Sequence, residues 1–224
     1  MRRALLILSL VLVALPTVSQ AQVMRPPFNR GFLHPQLVQD GRGNAGMLWV
    51  KLTDSGHDLF LAKRRANGAM QDPVKVNSGN GDVRYVAHPE ARPGIAAGPR
   101  SAVGVSWFDP SGRLFVSVSR DGASTFSPAV EVDRGHADPE NPYSDVAFDS
   151  GGTLYVTWIS KRDGAPAVFA ARIDRDRSPV VRNLTAEFDV AACGGTRPDL
   201  FIRGRDLTVT FRAAASDGFR DVHR

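Results

Sequence analysis

The 224-residue chain holds one cysteine, Cys193, so no disulfide closes within it and its stability has to come from packing. Past residue 15 no apolar run approaches the roughly 20 residues that a bilayer-spanning helix needs. Glycine-rich phosphate loops, dinucleotide fingerprints and zinc-ligand spacings are missing too, which leaves no motif for nucleotide or zinc chemistry. Basic runs are short: the longest is Lys63-Arg64-Arg65, and the 28 basic side chains, mostly arginine, are scattered among 23 acids. A nucleic-acid footprint needs clustering on one face, so no nucleic-acid partner is expected. Helical stripes are also absent after the first residues, and what remains is a chain punctuated by 21 glycines and 15 prolines.

The first residues read as a targeting segment. Met1-Arg2-Arg3 places positive charge ahead of the apolar run 4–15, and Pro16-Thr17-Val18-Ser19-Gln20-Ala21 adds a breaker and small residues at the spacing a signal peptidase reads. Residues 1–21 are therefore expected to be a cleaved signal peptide and 22–33 a lead-in. No cysteine follows the small residues, so no lipid anchor is expected. The mature protein is expected to be secreted or periplasmic, with no membrane anchor after cleavage.

The rest of the chain repeats. Four phrases begin similar units: His34-Pro35-Gln36-Leu37-Val38, Arg92-Pro93-Gly94-Ile95-Ala96, Asn141-Pro142-Tyr143-Ser144-Asp145-Val146 and Arg197-Pro198-Asp199-Leu200-Phe201. Each proline is followed by an aromatic, Trp49, Trp107, Trp158 or Phe211, at offsets of 14, 14, 16 and 13. Alternation such as Leu114-Phe115-Val116-Ser117-Val118, with turns at Asp109-Pro110-Ser111-Gly112, Asp149-Ser150-Gly151-Gly152 and Arg162-Asp163-Gly164, predicts strands joined by tight connections. In the second unit the strands are predicted at 94–97, 102–108, 113–119 and 128–132. In the third they fall at 146–148, 153–159, 167–173 and 180–182, and in the first at 46–52, 58–63 and 74–76. A four-stranded unit of about 50 residues repeated with matching aromatics points to β-propeller blades, approximately 34–77, 91–133, 141–185 and 196–224. The recurring large rings are then expected to fill the seams between blades.

One segment has its own chemistry. In Ser119-Arg120-Asp121-Gly122-Ala123-Ser124-Thr125-Phe126 the Asp121 carboxylate is placed to accept backbone N–H groups, Gly122 relaxes the turn, Thr125 bonds locally and Phe126 plugs between sheets. The segment resembles the Asp-box of sialidases and BNR-repeat proteins, Ser-x-Asp-x-Gly-x-Thr-aromatic, with Ser119, Asp121, Gly122, Thr125 and Phe126 as its structural residues. It departs from the pattern at Ala123, where the family has glycine, so a turn centred on Gly122 is expected instead. Weaker relics stand at Asn67-Gly68 and Asp174-Arg175-Asp176. The resemblance covers residues 34–224 and implies an all-β, sialidase-like propeller. In that family the box is structural and lies away from the catalytic face. Sialidases use three arginines for a substrate carboxylate, an acid/base Asp and a Tyr nucleophile helped by a Glu. Their early Phe/Tyr-Arg-Ile-Pro phrase has no match in Met24 to Phe32, so no catalytic residue is carried over.

The connections between blades are the candidate surface. Arg84, Tyr85, His88, Glu90 and Arg92 fall within residues 80–92 and suit a sugar or carboxylate pocket. Asp138 and Glu140 fall within 133–141 and suit a hard cation such as Ca²⁺, although the loop lacks the spaced acids of a calcium loop. The competing reading is an ordinary solvated loop, which is polar by default. No cofactor is otherwise implied. Cys193 has no histidine at a partner spacing and reads as an unpaired thiol, and Asn183-Leu184-Thr185 matches a glycosylation acceptor.

The fourth unit passes a turn at Ser216-Asp217-Gly218 and reaches Arg224 where a third strand is due. About three and a half blades are therefore expected, with an open ring that invites self-association or marks a gene fragment. The leading expectation is an exported scaffold that binds a glycan or a cell-surface protein. The alternative is a sialidase-like exo-glycosidase acting on terminal sialic acids.

Overall fold

The structure, a computed structural model, describes residues 32–65, 67–162, 164–174, 178–188, 191–204, 206–214 and 220–223. The targeting segment, most of the lead-in, Asp163, Arg175, Asp176 and the 216–218 turn lie outside these residues. Every described sheet is antiparallel and four-stranded. The first contains β1 (Phe32–Gln39), β2 (Ala45–Thr53), β3 (Gly56–Arg64) and β4 (Val74–Lys75). The second contains β5 (Gly94–Ala97), β6 (Val103–Phe108), β7 (Leu114–Ser119) and β8 (Val130–Glu131), and the third β9 (Ser144–Phe148), β10 (Leu154–Ser160), β11 (Ala167–Ile173) and β12 (Val180–Asn183). In these three, strand order in space follows strand order in sequence.

The fourth sheet differs from expectation. Its third strand does form: β16 (Arg220–His223) pairs with β15 (Asp206–Ala214), and β15 also pairs with β14 (Asp199–Arg203). A two-residue strand ahead of the proline phrase, β13 (Ala191–Ala192), adds to β15 at Ala213 and Ala214. A run as short as Ala-Ala leaves no periodic signal to detect.

Turn chemistry explains the meander. Asp40, Asp109 and Asp149 each open a five-residue turn whose fourth residue, Gly43, Gly112 or Gly152, has positive φ. Each aspartate Oδ1 accepts the N–H of the residue four places on, Asn44 at 2.9 Å, Arg113 at 2.8 Å and Thr153 at 2.8 Å. The carboxylate thus satisfies a donor that the reversing strand cannot.

Successive sheets pack face to face. Leu48, Val50, Leu59 and Leu61 of the first meet Val103, Val105 and Trp107 of the second. Leu114 and Val116 meet Val146, Leu154, Val156 and Trp158 of the third, and Ile159 and Val168 meet Leu200, Val209 and Phe211 of the fourth. Each tryptophan sits directly across the strand pair from a phenylalanine: Trp49 from Phe60, Trp107 from Phe115 and Trp158 from Phe169. The rings stack at centroid separations of 6.1, 6.0 and 5.8 Å, a geometry that adds to their burial. Trp107 and Trp158 are buried in the seams, whereas Trp49 belongs to a small separate cluster with Met47 and Ala62.

The first long strand of each sheet touches the next, β1 with β5, β5 with β9 and β9 with β14. A polar contact fastens each junction. The Gln36 amide donates to the Pro93 carbonyl, the Ser106 and Ser144 hydroxyls meet at 3.0 Å, and Asp145 accepts from Arg197 and from the Leu200 N–H at 2.9 Å. Four such sheets, turned around a shared line of inner strands, are propeller blades.

Candidate functional site

The connection from blade 1 to blade 2 is built by buried polar groups. Asp58 accepts from Asn77 Nδ2 and from the Gly81 N–H, both at 2.8 Å, and pairs with Lys75. Burial alone would push its carboxyl up, but these bonds outweigh it and hold the pKa below the usual carboxylate range. Gly81 has φ +67°, and a Cβ there would lie 1.9 Å from the Ser55 carbonyl oxygen, so only glycine fits the crossing. Beyond it Val83 plugs the seam between blades 1 and 2, and the Arg84 N–H donates to the Phe108 carbonyl at 2.7 Å.

That anchoring delivers four of the expected residues to one place and recruits three that the sequence did not announce. Tyr85 packs against two histidine rings, His34 and His57, each 5.2 Å away by centroid and tilted to it. His34 stands in the left-handed region at φ +49°, within an irregularity of β1, and its Nε2 lies 2.7 Å from the Val86 carbonyl. A carbonyl only accepts, so Nε2 carries the proton and Nδ1 remains an acceptor. His88 has the same tautomer with the other nitrogen engaged: its Nδ1 accepts the Glu90 N–H at 3.3 Å, leaving Nε2–H as a donor. Its ring meets Tyr143 edge-on at 6.0 Å. Burial raises the pKa of the Tyr143 phenol, nearby Glu90 raises it further and Arg84 opposes. The phenol therefore stays protonated and serves as a donor. Arg84 bridges toward Pro110, with its Nε buried and without a hydrogen-bond partner among the described residues.

Arg92 stands at the rim, 3.2 Å from the Pro89 carbonyl and 4.0 Å from Glu90. Asp138 and Glu140 do different work. Asp138 is buried and accepts from the N–H groups of Glu140, Asn141 and Lys161 and from Asn141 Nδ2. Its oxygens are committed to holding the second connection. Glu140 is exposed and pairs with Lys161. Among the described residues no group of three or more His, Cys, Asp or Glu side chains is placed to hold a metal ion. Cys193 is half-exposed, and Asn183 accepts from the Thr185 N–H and hydroxyl.

His34, His57 and Tyr143 escaped the sequence because they reach the cluster from β1, β3 and the residue just before β9. The only available signal was the repeated phrase itself, since His34 and Arg92 occupy the same pre-proline place in their units.

The Ser119–Phe126 segment joins β7 to β8. Asp121 Oδ1 accepts from the Ser124 and Thr125 N–H groups, both at 3.0 Å, and Oδ2 accepts the Thr125 hydroxyl at 2.6 Å. The Thr125 hydroxyl and N–H lower its pKa to about 2. The turn does not centre on Gly122 alone as expected: Gly122 and Ala123 both have positive φ, +74° and +66°. The Ser119 hydroxyl accepts the Ala123 N–H at 2.8 Å and its methyl is buried in the seam, which holds alanine in a place where glycine is easier.

No protein-family model and no curated protein sequence matches the chain. Solved structures do. A Hadza microbial sialidase aligns at TM-score 0.51 and 13% identity, over 86% of this chain and 44% of that one. A protein of unknown function from Dyadobacter fermentans aligns at 0.57 and 9%, over 86% and 65%. An α-L-arabinofuranosidase from Fusarium graminearum, solved with an iminosugar inhibitor, aligns at 0.54 and 15%, over 86% and 66%. The chain thus spans from under half to about two thirds of the length of these structures. The likeness shows the fold, a β-propeller of the sialidase and glycosidase kind.

Proposed function

We propose that this protein is an exported, Asp-box-type propeller that binds carbohydrate at the blade 1–blade 2 connection. The observation that carries the reading is the conjunction of the His34, Tyr85 and His57 rings, packed at tilted angles of 49° and 36°, beside the protonated Tyr143 phenol and the Arg84 and Glu90 side chains. Sugar rings present apolar C–H faces and hydroxyls that both donate and accept. An aromatic cluster bordered by an acceptor, His34 Nδ1, and donors, His88 Nε2–H and the phenol, matches that chemistry. The carbohydrate-active neighbours support the same class of ligand. Export rests on the charged, apolar and small-residue sequence of residues 1–21.

A second reading has one observation behind it. Glu90 lies near enough to Tyr143 to raise its phenol, and a Tyr assisted by a Glu is the nucleophile pair of sialidase-type hydrolysis. Sialoside turnover would make the protein an enzyme.

The two readings separate in one pair of assays. Binding to a glycan array, lost in the R84A/H88A double variant, together with no release of fluorophore from a 4-methylumbelliferyl sialoside, is the expected result. An empty array would remove the binding reading. Turnover abolished by Tyr143→Phe would establish the hydrolase instead.

A further inference from the structure

A second site lies beside the Ser119–Phe126 turn, in a part of the molecule that shares no residue with the cluster above. Between blades 2 and 3 a concavity of about 220 Å³ is lined by Pro99, Arg100, Ala102, Arg120, Gly151 and Gly152. Two arginines line it and no acidic residue does. Arg113, Arg162, Arg172 and Arg197 each rest against an aspartate. Arg100 has no ion pair among the described residues, and Arg120 reaches only the Gly152 carbonyl, at 3.5 Å. The nearby Asp121 and Asp149 carboxylates are engaged in their own turns. A third cation stands close. Lys63 Nζ donates to the Gly122 carbonyl at 3.2 Å, with Asp40 at 3.8 Å as its counter-ion.

The backbone holds Arg100 in an unusual way. Pro99 to Ala102 forms a hairpin turn closed by the Ala102 N–H on the Pro99 carbonyl at 3.1 Å, and both central residues, Arg100 and Ser101, have positive φ, +56° and +62°. That conformation is ordinarily left to glycine or asparagine. Its consequence is that Arg100 is carried to the same concavity as Arg120, from the opposite hairpin of the blade.

Like charges facing one small cleft repel until an anion lies between them, and the guanidinium fork fits an oxyanion through two parallel N–H bonds. We infer that Arg100 and Arg120 form a binding site for a single tetrahedral oxyanion, a sulfate or phosphate group. The walls of Pro99, Ala102 and the Gly151–Gly152 backbone leave room for the group and part of whatever bears it. A sulfated or a phosphorylated sugar presents the same chemistry, and the two are told apart by titration.

The test uses the full chain and follows the arginine Nε–H signals by NMR at constant ionic strength. Glucose 6-sulfate and glucose 6-phosphate are the probes, with chloride as reference. Saturable shifts of the Arg100 and Arg120 signals by either probe are expected, the tighter of the two naming the source, with affinity roughly tenfold weaker in R100Q and in R120Q. Arg203→Gln, which removes one charge from the exposed edge of blade 4, should leave the titration unchanged. Shifts no larger than those of chloride would overturn the site, as would equal affinity in R100Q/R120Q or an equal loss in R203Q. Retention of the wild-type thermal midpoint in each variant separates lost binding from lost fold.

Discussion

At the scale of single residues, aspartates do much of the structural work. Asp40, Asp58, Asp109 and Asp121 all have lowered pKa values, and in the first three the bonds they accept outweigh a burial that would raise them. Asp121 is the clearest, its folded value of about 2 standing against an ordinary 3.8. A depressed carboxylate contributes stability that is whole above its ordinary pKa and is lost as pH falls toward the folded one. Acid titration of the wild-type protein should therefore show a fall in thermal midpoint between pH 3.8 and about 2, and Asp121→Asn should flatten that limb. Asp121→Ala, which strands two backbone donors and the Thr125 hydroxyl, is expected to lose roughly 2 kcal/mol by urea unfolding at neutral pH. An unchanged acid limb in the Asn variant would show that the turn is not held by this carboxylate. The role of Asp121 was legible in the sequence because all its partners lie within four residues of it. Ala123 was misjudged because its left-handed backbone is imposed by a seam that only the packed blades create.

At the scale of elements, strands were readable and connections were not. Proline, glycine and Asp-x-x-Gly turns punctuate the chain so regularly that the central strands of blades 2 and 3 fall within a residue or two of their expected bounds. The Trp–Phe pairing across strands followed from register, which single-strand alternation does not state. Long-range meetings were invisible for the same reason: Tyr85 contacts His34 and His57 from 51 and 28 residues away. Asp138 looked like a free ligand group and proved to be a clamp, since a loop's polarity does not reveal which of its acids face inward. The connection that carries the proposed site depends on one backbone crossing. Gly81→Ala would press a Cβ against the Ser55 carbonyl carbon and oxygen, 2.4 and 1.9 Å away, at a φ that alanine resists. The fold should survive with a loss of roughly 1–3 kcal/mol, while retention on the glycan array drops well below wild type. Unaltered retention in G81A would mean that the loop's rigidity is not what positions the cluster.

At the scale of the whole molecule, four blades share one line of inner strands, fastened at each junction by a polar contact and filled between by apolar layers. The construction explains why the two proposed sites are independent. One sits where chain passes from blade to blade, the other where hairpins of neighbouring blades 2 and 3 meet beside the Asp121 turn. The histidines offer the most direct measurement of glycan binding at the blade 1–blade 2 connection, because three of the five in the chain belong to the cluster and His136, bonded to Asp133, does not. Ring-carbon NMR spectra recorded while the array's best glycan is titrated should move His34, His57 and His88 together, with one saturation curve, and leave His136 in place. Shifts confined to His136, or three unmoved rings in the presence of a bound glycan, would contradict it.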